Sequence, residues 1–165
     1  MNIFTIQLFE EHEKCSFYTV VKDGQSKSET DLFFEKHAES HRAELLDFIK
    51  LLEYIGNERG ANEHLFRFEG QALALPKNER RQKQFLEIDF KEFPLRLFCL
   101  RISDALIIFF NGGIKDAQTA QESSLSAQFR EANQFAKAID KAIIQKDIEI
   151  NNHILIGENT VEIYY

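Results

Sequence analysis

Two cations in the middle of the chain are placed where they could handle an anion. Arg96 is bracketed by Leu95 and Leu97, and Lys115 follows Asn111-Gly112-Gly113-Ile114. A guanidinium among apolar neighbours costs free energy unless it reaches solvent or a carboxylate. Arg96 therefore either extends to a surface glutamate or projects into a concave polar face and binds an anion such as phosphate. Arg101 has the opposite parity, so a regular strand sends the two arginines to opposite faces. Around them, residues 77–101 hold Lys77, Arg80, Arg81, Lys83, Lys91, Arg96 and Arg101 against Glu79, Glu87, Asp89 and Glu92. This segment is net positive in a chain whose formal charge is −7. The overall charge argues against nucleic-acid binding through the whole surface but leaves room for a local basic patch.

Other chemistry-bearing residues point to bland roles. His37 and His41 lie four apart on a predicted helix and share a face. A zinc-protease HExxH needs Glu directly after the first His, but here Ala38 stands there and Glu39 comes one later. With no third ligand evident, surface histidines are expected and no metal. Cys15 and Cys99 fall in predicted strands without a CxxC or a Cys/His cluster, so buried, reduced thiols are expected. There is no GxSxG, P-loop or GxGxxG. Asn111-Gly112-Gly113 reads as a strand-ending turn rather than a phosphate loop. Asp89 alternates outward with Glu87, as a solvated carboxylate does.

The elements that must position these residues follow from periodicity. Residues 95–102 and 105–110 (ALIIFF) read as a hairpin about Ser103-Asp104. A run apolar on both faces is central in a sheet, so the sheet should centre on residues 95–118. Earlier, residues 2–9 and 15–21 read as an antiparallel pair. A short helix should start near Ser28 or Thr30, with Glu29 and Asp31 at its positive end. A longer one, residues 41–55, carries Leu45, Phe48, Ile49, Leu52 and Ile55 on one stripe and is stopped by Gly56 and Gly60. Strands are expected from His64 to Phe68 and over residues 84–90, where Leu86, Ile88 and Phe90 alternate with Phe85, Glu87 and Asp89. Residues 124–146 predict a helix packed across the sheet or on the helical pair. Residues 148–156 and 160–165 read as a last hairpin.

Composition bounds the rest. With 165 residues, 44% hydrophobic content, sixteen Phe, seven Gly and two Pro, one globular domain with few long loops is expected. No apolar run reaches ~18 residues, so no membrane span is expected. The start, MNIFTIQLFEEHEK, lacks a signal-peptide pattern, so a cytoplasmic location is expected. The fold class expected is α+β: a single domain, 1–165, with a helical pair and a C-terminal helix packed on an antiparallel sheet.

Leu95-Arg96-Leu97-Phe98, the apolar run Leu106 to Phe110, and Gly112-Gly113-Ile114-Lys115-Asp116-Ala117-Gln118 together resemble the RelE/ParE/HigB toxin superfamily. Many of its members carry an Arg-aromatic strand, an apolar strand, and a Gly-containing turn running into Lys-Lys-Thr-Gln. The likeness covers roughly Ser16 to Ala142, leaving an N-terminal strand extension and a C-terminal β tail. It implies a small α/β toxin fold whose members cleave mRNA, commonly on the ribosome, by 2′-hydroxyl attack on the adjacent phosphate without metal or cofactor, or in the ParE branch inhibit DNA gyrase. It implies Arg96 and Lys115 as catalytic cations and an antitoxin partner. Arg67, Lys77, Arg80, Arg81, Lys83 and Arg101, chosen on charge, would contact RNA, as would Gln118, which falls on the family's Gln. The second family Lys is Asp116 here, and such toxins are usually basic. Those departures favour the alternative, a non-catalytic protein-binding module on the same fold, receiving an antitoxin-like helix in an apolar groove. Homodimerisation by residues 161–165 adding to a sheet edge is a third reading.

Overall fold

β1 (Ile3–Glu11) and β2 (Ser16–Lys22) form the antiparallel pair that the N-terminal alternation predicts. The computed structural model describes residues 3–78, 86–115, 125–156 and 161–164. Along β1, Phe4 and Ile6 are buried between half-exposed neighbours. β2 is buried on both faces from Ser16 to Val20, which requires a strand on each side of it.

Ser28 ends the loop after β2. Its Oγ accepts the Asp31 backbone N–H at 3.0 Å, capping α1 (Glu29–His37). α2 (Arg42–Tyr54) buries Leu45, Phe48, Leu51 and Leu52. It does not stop at Gly56. A π-helical turn, Ile55–Arg59, continues it, and Gly60 ends the turn at a φ of 78°. A 3₁₀ turn, Glu63–Leu65, replaces the start of the expected strand at His64. β3 (Arg67–Glu69) and β4 (Ala72–Leu75) follow as a hairpin about Gly70.

The predicted central hairpin is present as β5 (Leu95–Ser103) and β6 (Leu106–Ile114). With β9 (Val161–Tyr164) at one edge, the sheet runs β3-β4-β5-β6-β2-β1-β9, so β6 is its middle strand. Every neighbouring pair is antiparallel except β2 and β6, whose parallel pairing follows from the long excursion of chain between them. Side chains alternate between two cores. Leu97, Cys99, Ile107 and Phe109 face α1 and α2, whereas Phe98, Leu100, Ile108 and Phe110 face α3 (Ser126–Ile144). The domain thus has helices on both faces of one sheet, with α3 opposite the helical pair.

Three further expectations change. Gly112 and Gly113 are not an exit turn: β6 runs straight through them, and neither has a positive φ. They are small because the chain is squeezed there. A Cβ on Gly112 would collide with the Arg96 carbonyl oxygen and lie 2.8 Å from the Phe33 ring, and one on Gly113 would lie 2.7 Å from Leu125 Cδ2. Of the strand expected over 84–90, residues 86–90 form none, and residues 84 and 85 lie outside the described residues. Glu87 has a φ of 59°, yet Ile88 and Phe90 still turn inward, so the period of two reflects burial without a ladder. The tail is not one hairpin. β7 (Glu149–Asn151) and β8 (Ile154–Ile156) pair with each other, while β9 (Val161–Tyr164) joins the β1 edge of its own sheet.

Candidate functional site

Two strand ends and a loop bring the predicted cations together. Arg96, second residue of β5, pairs in register with Gly113, two residues short of Lys115. Arg96 is wholly buried. Its Nη1 donates to Glu69 Oε1 at 2.8 Å, and that same oxygen receives Arg67 Nε at 2.9 Å. Arg96 Nη2 donates to Asn78 Oδ1, and Lys115 Nζ donates to that oxygen at 3.2 Å. Asn78 is held in turn, its Nδ2 donating to the Phe90 carbonyl at 2.9 Å. A continuous chain therefore links Arg67, Glu69, Arg96, Asn78 and Lys115.

The partner of Arg96 is not the surface glutamate that the sequence leads one to expect, because Glu69 is itself buried. Burial pulls the Arg96 guanidinium below its usual range, Arg67 pulls the same way, and Glu69 opposes both. The partly exposed Lys115 ammonium is also lowered, first by burial and then by Arg96 and Arg67. A half-buried amine with neighbouring cations gives up its proton more readily than a solvated lysine.

The remaining predicted residues scatter. Lys77 lies beside Asn78 and is half-buried. Arg101 goes elsewhere, donating to the Ala61 carbonyl and to Asp104. Arg80, Arg81, Lys83 and Gln118 lie outside the described residues. Sequence reasoning missed Glu69 and Asn78. The only available signal was the general requirement that a cation between two leucines find a buried partner.

His37 is not a surface residue. It is buried against Phe33, with its ring 5.8 Å from that of His41. Burial holds its pKa below the ordinary value, helped by Lys36 and His41. Among the described residues, no three of His, Cys, Asp and Glu are grouped to hold a metal. Cys15 and Cys99 are buried free thiols, and burial pushes Cys15 up to about 12. No helix among the described residues is long and apolar enough to cross a membrane.

A second feature lies between β1, α1 and α2. Phe9, Phe34, Ile49 and Leu52 line a groove of about 240 Å³ together with the carboxylate-bearing Glu10, Asp31 and Glu53. Ile49, expected in the core stripe of α2, is 39% exposed, and Leu46 is 53% exposed. Leu46, Ile49 and Glu53 share one face of the helix by their spacing. Comparison with protein families, curated proteins and solved structures finds no match.

Proposed function

We propose that the chain is a non-catalytic protein-binding module that receives an amphipathic helix of an antitoxin-like partner. The observation that carries this reading is the apolar groove between β1, α1 and α2 with its three carboxylates. Apolar anchors of a bound helix would cover Phe34, Ile49 and Leu52. Flanking lysines or arginines would meet Glu10, Asp31 and Glu53, and the net charge of −7 would steer such a partner inward. The burial of Arg96, with both terminal nitrogens engaged, suits a residue that holds strands together. Titration with a synthetic helical peptide of leucine anchors and flanking lysines tests the reading. Binding should weaken with salt and be lost in Ile49→Glu. No binding at ~100 μM, or binding indifferent to Ile49→Glu, removes it; that concentration corresponds to an affinity too weak for a stable interface.

The convergence of Arg96 and Lys115 on Asn78 favours a second reading, a toxin-like ribonuclease acting on translated mRNA without metal. Lys115 would handle the proton or the phosphate charge, and Arg96 would position it from below. The order strand, helical pair, meander, helix agrees with that resemblance. Expression of such a protein arrests growth, and Lys115→Ala relieves the arrest. Harmless expression together with intact ribosome-bound mRNA excludes this reading.

A further inference from the structure

A polar cavity of about 200 Å³ opens where the C-terminal ends of β2 and β6 meet α1 and α3. The C-terminal ends of adjacent parallel strands, beside the start of a following helix, form a crevice that α/β folds use for small ligands. Lys22, the last residue of β2, bridges Glu29 at 3.0 Å and Glu131 at 2.7 Å. Asn111 Nδ2 donates to the other oxygen of Glu131 at 2.9 Å. That bond fixes the amide, because a flipped Asn111 would set its oxygen against a carboxylate.

Two acceptors on residues lining this cavity are left over. Asn111 is nine-tenths buried and its Oδ1 has no hydrogen-bond partner. Gln128 Oε1, on the residue three before Glu131 in α3, is also buried without a partner. Buried oxygens without donors are costly, and two within one cavity ask for N–H groups. One ammonium, that of Lys22, bridges both Glu29 and Glu131 while Lys36 is exposed, so the two carboxylates keep negative charge beside the demand for donors. Leu32 and Phe33 supply an apolar wall, and Gly112 contributes no side chain. The volume is several times that of one water molecule.

From this we infer that the cavity binds a small organic cation, an ammonium or guanidinium on a short aliphatic stem, through Asn111 Oδ1 and Gln128 Oε1. The N–H donors satisfy the two amide oxygens, Glu29 and Glu131 balance the positive charge, and the stem lies on Leu32 and Phe33. This site shares no residue with the groove or the cation network, so either reading of function can fail without removing it.

The test uses agmatine, which carries both head groups, with n-butyrate as the anionic control. Proton–nitrogen NMR of the full chain should show the side-chain amides of Asn111 and Gln128 shifting with agmatine at a Kd near or below about 1 mM, as expected for so small a ligand. Gln128→Leu should weaken binding about tenfold, and Gln128→Glu should strengthen it, both at unchanged thermal stability. Both changes sit on a half-exposed helical position, so folding is retained. Overturning results are an absence of shifts at 20-fold that concentration, equal shifts with butyrate, or affinity unchanged in both variants. The first would leave the cavity to water alone.

Discussion

Replacing Arg96 by Met asks whether this guanidinium is structural. The substitution keeps the volume of the stem and removes the charge. Arg96 is wholly buried, pairs with Glu69 at 2.8 Å and donates to Asn78. Removing one member of a buried ion pair costs about 3–5 kcal/mol, because the other charge is stranded. Here the loss should fall near 3 kcal/mol, since Arg67 still reaches Glu69 at 2.9 Å and Lys115 still reaches Asn78 at 3.2 Å. With a urea dependence of about 2 kcal/mol per molar for a domain of this size, the midpoint should drop by roughly 1.5 M. Adding Glu69→Gln should return part of that loss, because replacing both partners removes the stranded charge. Urea unfolding followed by circular dichroism reads all three proteins. A midpoint within ~0.3 M of wild type for Arg96→Met refutes the assignment, and Arg96 would then be available for chemistry.

The other predictions concern packing, pH and the sheet edge. Gly112→Ala places a Cβ against the Arg96 backbone, which cannot move aside, and should cost about 2–3 kcal/mol. Gly113→Ala meets only the end of the Leu125 side chain and should cost less; equal losses would contradict this. His37 titrates below its unfolded value, so the unfolded chain binds more protons. Stability should therefore be retained above about pH 6.5 and fall as pH drops from there toward the folded pKa. Comparing His37→Gln with wild type at pH 7.5 and 5.5 isolates this slope from the carboxylates, and identical slopes would count against it. β9 covers the β1 edge within one chain. Truncation after Ile156 should expose that edge and raise the mass measured by light scattering, whereas an unchanged monomer would show that the edge needs no cover.

Apolar periodicity made most of the elements legible. ALIIFF between turn signals pointed to the middle strand, and the stripe through Leu45, Phe48 and Leu52 pointed to α2. The errors came where one local pattern has two physical causes. A Gly-Gly pair serves a turn needing positive φ or a strand with no room for a Cβ, and only Phe33 and Leu125, brought in by two other elements, decide which. Alternation over residues 86–90 could mark a ladder or a loop pinned by Ile88 and Phe90, and among the described residues no strand pairs with them. In the cation network, Arg96 and Lys115 were visible because a charge among leucines stands out. Glu69 and Asn78 were not, because an acidic residue before a glycine and an asparagine in a polar stretch are ordinary in isolation.

The last strand of the central hairpin ties these features together. Asn111 carries the amide of one polar cavity, Lys115 closes the other network, and the two glycines between them let the strand pass under Phe33 and Leu125. A strand with a side chain at 112 would have to move away from β5. That shift would break the register of Arg96 with Gly113 and displace Asn111 from Glu131 in one motion. Gly112 is therefore the common geometric condition for both polar sites, although it has no chemistry of its own. In Gly112→Ala, agmatine affinity and the stability contributed by Arg96 should fall together. Loss of one with full retention of the other would show that the two sites are positioned separately.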